Sequence, residues 1–536
     1  MMHADAAVTI ENPAGSLRLI SIAVHGRIWS ASKTIARDLL RNLLNGAGIA
    51  ALILFPTYQG AISNPSSMRM HSPLPLTTFA LATVADLLFV SVLVALLCMW
   101  MESTRPGQWI RFCLPALYAG AAIEGIYIYR TGSPKLKYFW GGFALTLLLT
   151  WILRRFWPAA YQRMQAVRLA FATGLAVFCI FAMVQLVRLA FWRPTPILAE
   201  NFTLADSQPR PPHPRVVWIL MDELSYDQVF GKRAQGLDLP NFDALHQMST
   251  LFTDTEPVTE YTESAVPSLL EGRLISSLKY TPDNRLLVAG QGQPLSPFRA
   301  SNTPFAIAKS QEMTTGVVGW FNPYCSMLAP YLDKCYWTDE AMSQGAPLTE
   351  DAFWRFVAKP WVAYWTVLYP HQRNPSIVNQ ARDYRSLSGQ AQDMVNQEQM
   401  DFIFLHLPLP HPPGFYNRRA GQFEADGRTS YLDNLALADK TLGELLSILR
   451  ASPRWSGTSI VLCGDHSWRT FKWEKQRYWT SEDEAASHGG AFDPRPMLMV
   501  HQAGQTASAT VDHPVSLMKV HDILDRLIVG QPLGLQ

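Results

Sequence analysis

The sequence predicts two parts: an all-α membrane-spanning region of about five helices, then an α/β domain with helices on both faces of a mainly parallel sheet. Two observations carry this. Nearly all the long apolar runs lie before residue 195. Beyond residue 214, short apolar runs alternate with helix-like stretches, the pattern of buried strands between covering helices. The chain has 536 residues, too many for one domain of usual size, and its 48% hydrophobic and 16% charged averages blend two different halves. A net charge of +2 with no basic or acidic tract gives no support to nucleic-acid binding.

Five runs approach the roughly 20 apolar residues that a bilayer requires: 43–61, 76–101, 109–129, 138–153 and 169–191, the fourth being the shortest. The leading residues 1–42 read as a cytoplasmic segment without a cleavable signal peptide. Lys/Arg bias sets the orientation. Arg18, Arg27, Lys33, Arg37 and Arg41, then Arg105 and Arg111, then Arg154, Arg155, Arg163 and Arg168 mark one side. That side is the cytoplasm, although Arg130, Lys135 and Lys137 interrupt the pattern. An odd number of spans then places everything after residue 192 outside. Asp86, Glu124 and Arg188 fall within the spans, where charges pair, lie near an interface or mark function. Residues 193–214 are Pro-rich and polar and read as a linker. This gives four parts: 1–42, the spans within 43–192, the linker 193–214 and an outer domain 215–536.

Within the outer domain, 216–221, 315–321, 401–407, 458–464 and 496–501 read as buried strands, and 433–450 has helical spacing. Residues 351–370 are dense in Trp and Tyr, which favour a bilayer surface, and are expected beside the membrane helices. Cys325 and Cys335 are spaced for a small disulfide loop, expected in an oxidising compartment. Cys98, Cys113 and Cys179 read as membrane-helix residues and Cys463 as packing.

Chemistry-bearing residues collect after the strands, where an open α/β sheet places its site. Asp222 and Glu223 follow 216–221, and Asp465 and His466 follow 458–464. His406 and His411 belong to the end of 401–407 and its loop. Thr262 opens a helix-like segment and His488 sits in SHGG. Singly, an acidic pair or a Thr in such places is often a helix cap. Jointly, carboxylates and imidazoles at successive strand ends suit zinc or a similar divalent ion, and a hydroxyl beside it becomes a usable nucleophile.

These segments resemble the alkaline phosphatase/sulfatase superfamily. RVVWILMDELSYD is similar to its first metal-binding strand, TESAVPSLLEGR to its nucleophile segment, GDHS to its Asp-His motif, and SHGG to a further metal His. The resemblance covers roughly residues 214–530, and the membrane anchor resembles that of the phosphoethanolamine and phosphoglycerol transferases. It implies an α/β/α sandwich in which Asp222, Thr262, Asp465 and His466 hold a metal. Glu223 stands where sulfatases have a second acidic ligand. His488 and His411 are implied for a phosphate or a second metal, and His406 and Arg273 join the substrate-binding set. The metal would be zinc, with Mn, Mg or Ca as alternatives. Thr262 cannot give the formylglycine of sulfatases, and Val266 stands at their Arg position. The implied activity is therefore transfer of a phospholipid-derived phospho-headgroup through Thr262 to an envelope glycan or lipid, at a bacterial-type inner membrane. A hydrolase of phosphate or sulfate esters and a non-catalytic assembly protein are the rival readings.

Overall fold

The structure is a computed structural model that describes residues 38–63, 65–70, 75–131, 135–192, 213–281, 285–338, 352–368, 375–476 and 478–534. Nearly all of the leading segment, and of the linker all but His213 and Pro214, lie outside the described residues. The chain forms two compact units. One comprises residues up to Gln59, Ala80–Arg188 and Phe353–Leu368; the other Gly60–Phe79, Leu189–Ala352 and Tyr369–Gln536.

The first unit is helical. Its elements are α1 (Asp38–Ile53), α2 (Phe55–Ser63, which runs into the second unit), α3 (Thr77–Ser103), α4 (Arg105–Thr131), α5 (Leu136–Phe156), α6 (Pro158–Ala190) and, from far along the chain, α7 (Phe353–Leu368). Among the described residues three helices are long and apolar enough to cross a membrane, within Thr77–Trp100, Leu136–Phe156 and Ala170–Ala190. A fourth arises if α1 and α2, bent by 82°, count as one span. The expectation of five is thus reduced. Helix α4 covers the predicted 109–129 run. Asp86 is 2% exposed and accepts from Trp361 Nε1 at 3.2 Å, so its partner comes from the aromatic 351–370 segment. Glu124 accepts backbone N–H groups of Lys135 and Phe139.

The second unit is built on an eight-stranded sheet. Its strands are β1 (Arg215–Met221), β2 (Thr250–Phe252), β3 (Thr315–Trp320), β4 (Lys334–Thr338), β5 (Phe402–Leu407), β6 (Thr458–Gly464), β7 (Leu498–His501) and β8 (Ala509–Val511), in the order β8-β2-β7-β6-β1-β5-β3-β4. Only β7 runs against the others. All five predicted strand runs are strands of this sheet; the short β2, β4 and β8 were not anticipated.

Strand β1 is buried along its whole length because both sheet faces are covered. Alternation sends Val217, Ile219 and Met221 to one core, with α8 (Pro375–Val395) and α9 (Tyr431–Ala451). Val216, Trp218 and Leu220 go to the other core, with α10 (Lys519–Ile528) and the helix that starts at Thr262. The architecture is the expected α/β/α sandwich. Cys325 and Cys335 form a disulfide with Cα atoms 5.7 Å apart, tying the segment after β3 to β4. Cys463 is buried in β6 and Cys98 and Cys179 are buried in the helical unit; Cys113 is half-buried.

Candidate active site

Strand register builds the site. Met221 pairs with Gly464 of β6 on one side and Leu407 of β5 on the other. Asp222 and Asp465 are therefore each the first residue past a paired strand end, and His406 lies one pair back, opposite Leu220. Gly464 is required there: a Cβ would meet the Leu224 carbonyl oxygen at 2.6 Å, where the chain after β1 crosses over. Glu223 turns that chain through a left-handed backbone (φ 62°), a conformation that costs a non-glycine residue about 1–3 kcal/mol. Hydrogen bonds hold it there. Its N–H donates to Asp465 Oδ1 at 3.2 Å, and its carbonyl accepts from Tyr431 Oη at 2.7 Å.

Thr262 is the first residue of a ten-residue helix, Thr262–Glu271. Its Oγ1 donates to Asp222 Oδ2 at 3.1 Å and lies 3.1 Å from His466 Nε2. His466 Nε2 is 3.2 Å from Asp465 Oδ2 and 3.8 Å from Asp222 Oδ1. His406 Nε2 is 3.8 Å from Asp222 Oδ2, while its Nδ1 meets Tyr324 Oη at 2.6 Å. All of these side chains are buried.

The donor set fits a cation. His466 Nδ1 lies 3.1 Å from the Ser467 carbonyl, which can only accept, so the proton sits on Nδ1. Nε2 then presents a lone pair to two carboxylates. Asp222 Oδ1, Asp465 Oδ2 and His406 Nε2 are buried with no hydrogen-bond partner. Burial, and next the charge of Asp465, push the Asp222 carboxyl well above the usual range. Burial lowers His466 to about 3 and His406 to about 4, leaving both imidazoles neutral. Asp222, Asp465 and His466 form one group that could hold a metal ion; Asp222, Glu223 and His411 form another.

The second group differs. Arg469 donates to Glu223 through Nε at 2.7 Å and through a terminal nitrogen, and Trp473 Nε1 donates at 3.0 Å. Arg469 also reaches the Glu260 carbonyl at 3.0 Å and His411 Nε2 at 3.4 Å. His411 Nε2 accepts that contact, so Nδ1 carries the proton and is left without a partner. Burial and then Arg469 lower the pKa of His411 well below its ordinary value.

The structure brings Asp222, Thr262, Asp465, His466 and His406 together, with Glu223 and His411 beside them. It does not bring His488 or Arg273. His488 is exposed and belongs to neither metal-holding group. Its positive φ, with those of Gly489 and Gly490, forms the turn that ends helix Ser481–Ala486. Arg273 sits past the far end of the Thr262 helix, about 15 Å from its start by helical rise, and pairs with Glu271 at 2.5 Å. Arg469, Trp473 and Tyr324 were missed. The only signal for Arg469 was a base three residues after the Asp-His pair.

A buried hydroxyl among carboxylates and imidazoles at the carboxyl ends of central parallel strands places the molecule among metal-dependent α/β enzymes of the alkaline phosphatase superfamily. The sulfatase family model matches residues 214–519, more than half of the chain, and the chain belongs to that family. It is similar to solved structures of PsFucS1 sulfatase from Pseudoalteromonas sp. at 16% identity, covering 59% of this chain and 68% of that one, with TM-score 0.39. A phosphonate monoester hydrolase of Agrobacterium radiobacter matches at 18% identity, 60% and 79% coverage and TM-score 0.35. The lipoteichoic acid synthase LtaP from Listeria monocytogenes matches at 15% identity, 60% and 73% coverage and TM-score 0.35. No curated protein matches the chain.

Proposed function

We propose that this sulfatase-family enzyme is a membrane-anchored phosphotransferase. It moves a phospholipid-derived phospho-headgroup through Thr262 to an envelope glycan or lipid, on the outer face of a bacterial-type inner membrane. The carrying observation is the position of Thr262 Oγ1, 3.1 Å from both Asp222 and His466, in a cluster where Asp222 Oδ1 and Asp465 Oδ2 have no hydrogen-bond partner. The apolar helices support an anchor, and the Cys325–Cys335 disulfide supports an oxidising, extracytoplasmic compartment. In this reading residues 1–42 are cytoplasmic, 43–192 carry the spans, and 215–536 are the outer domain.

Asp222, Thr262, Asp465 and His466 would hold a divalent ion, zinc by its donor set, which lowers the hydroxyl pKa and offsets phosphoryl charge. Asp222 aims Oγ1 by accepting its hydrogen bond. The Thr262 hydroxyl gives up its proton to solvent and its oxygen forms a bond to phosphorus, while the bond from phosphorus to the lipid oxygen breaks and the leaving lipid alkoxide takes a proton from solvent. The acceptor oxygen next bonds to the same phosphorus, the Thr262 bond breaks, and the acceptor proton passes to solvent. His411, beside Glu223 and Arg469, is the phosphoryl-binding histidine of this reading. If water replaces the acceptor, the same residues give a hydrolase.

The test is mass spectrometry of purified protein after incubation with phospholipid. A phospho-headgroup adduct on Thr262 is expected, and transfer to a supplied acceptor separates transferase from hydrolase. Lipid consumption with Thr262 unmodified at every time point would sink the covalent route.

A further inference from the structure

We infer that α7 dips into the bilayer beside α3, and that its outward face is a lipid-contact surface. The chain then re-enters the membrane between β4 and α8, inside the residues that the sulfatase family model matches. This rests on the reading of the apolar helices as an anchor, and adds to it an element that span length does not reveal. With 16 residues, α7 is about 24 Å long by helical rise, short of the roughly 30 Å of hydrocarbon that a span must cross.

One hydrogen bond sets the depth. Although its sequence neighbours belong to the second unit, α7 is part of the helical unit. Trp361 Nε1 donates to Asp86 Oδ1 at 3.2 Å. Asp86 lies within the apolar stretch Thr77–Trp100 of α3, about 14 Å along it by helical rise. That stretch of 24 residues is about 36 Å long and overshoots the hydrocarbon by about 3 Å at each end. Asp86 is therefore about 10 Å inside the hydrocarbon boundary. Even extended straight toward water, an Asp–Trp pair reaches little past that boundary. The α7 backbone at Trp361 thus lies at headgroup level or deeper.

The faces of α7 say what covers it. Helical spacing puts Trp354, Ala358 and Val362 on one face, and all three are exposed, Trp354 by 75% and Val362 by 57%. Phe356 and Pro360 lie on the opposite face and are buried. A Trp and Val face left in water is unfavourable, and it marks a contact surface. The neighbouring span supplies the occupant. Phe89, one turn along α3 from Asp86, is 62% exposed, and lipid covers it if α3 spans. The leaflet that reaches Phe89 also reaches α7. Trp favours the membrane boundary, where its ring is buried and its N–H finds a partner. Arg355 and Lys359 border the apolar face, as bases do on helices that lie in a bilayer surface.

The experiment is spin-label EPR on the full-length protein in nanodiscs of phosphatidylethanolamine and phosphatidylglycerol. A nitroxide is placed on Val362→Cys, on Phe89→Cys as the reference for α3, and on Arg428→Cys, an exposed position of the second unit, as the reference for water. Unmodified protein labelled in the same way sets the background of the native free cysteines. At Val362, as at Phe89, relaxation by oxygen should exceed relaxation by a water-soluble nickel chelate, and the order should reverse at Arg428. Trp354→Cys, on the same face of α7, gives a second reading should Val362→Cys not fold. A Val362 label relaxed by the chelate as at Arg428, while Phe89 favours oxygen, overturns the proposal and leaves the anchor standing. Chelate access at Phe89 as well overturns the anchor reading itself, and α7 falls with it. Shielding of Val362 from both relaxants, with cross-linking of Val362→Cys into dimers, makes a second copy the occupant and also overturns the proposal.

Discussion

Asp222 and Glu223 are consecutive, both wholly buried, and both sit at the end of β1, yet the protein treats their charges in opposite ways. Around Glu223 it supplies a guanidinium and an indole N–H, and the carboxylate is answered from within. Around Asp222 it adds another carboxylate and two neutral imidazoles, and partnerless oxygens remain. A buried charge without a counter-charge is far too costly to keep without a purpose. The pair teaches that adjacency in sequence does not make two acids equivalent. One is answered by fixed donors of the protein, and the other keeps open oxygens that a cation could take.

Four measurements break or sharpen this contrast, starting with the largest effect. Asp465→Ala removes a charged ligand from the open side. Metal affinity should fall more than about a hundredfold and turnover should disappear. Elemental analysis with an activity assay checks both, and normal metal content in this variant would end the cation reading.

Thr262→Ala should retain metal, bound somewhat more weakly, but lose turnover on the order of ten-thousandfold, because no covalent intermediate can form. Thr262→Ser keeps a hydroxyl on the same atom and should retain measurable activity. Near-wild-type rates from Thr262→Ala would make Thr262 a helix-start residue only, with Ser264 the next candidate.

Glu223→Gln tests the answered carboxylate. It leaves the Arg469 charge buried without its partner and should cost about 3 kcal/mol of stability in denaturant titration, with metal content unchanged. Metal loss without loss of stability would make Glu223 a ligand instead, as the sequence resemblance implied.

The smallest effect is a proton count. In the metal-free protein Asp222 holds its proton more tightly than in the unfolded chain, because burial and Asp465 raise its pKa. Its contribution to stability is therefore full below about pH 4, the unfolded carboxylate value, and is lost as pH rises through the raised folded value. A cation displaces that proton, so metal affinity should rise with pH until the raised carboxyl ionises in the metal-free protein. His466 and His406, lowered to about 3 and 4, are already neutral above the ordinary carboxylate range. Calorimetry in buffers of different ionisation heat should show proton release on metal binding, and no release at any pH at which the protein is folded would count against the raised carboxyl.

The strand ends were legible because a fully buried parallel strand writes itself as an unbroken apolar run, and the first polar residue after it marks the sheet edge. That rule located Asp222, Glu223, Asp465 and His466. It could not reach Arg469, whose role depends on a loop folding back onto Glu223 across 246 residues of sequence. It also misread SHGG, because a left-handed turn that stops a helix uses the same small residues as a ligand motif. Arg273 was aligned by its place in a family segment, and a ten-residue helix carried it to the opposite end from Thr262. The five apolar runs gave the helical membrane region, and among the described residues three helices, or four with the bent pair, meet the length and hydropathy of a span.

Residues 464–479 hold Asp465, His466, Arg469, Trp468, Trp473 and Trp479 in one uninterrupted stretch. The proposed ligand pair, the guanidinium that answers Glu223 and the indole that joins it thus travel together as a single cassette. A change confined to this one loop reaches the surroundings of Glu223, while Asp465 and His466 stay as fixed posts and the sheet that carries them is untouched.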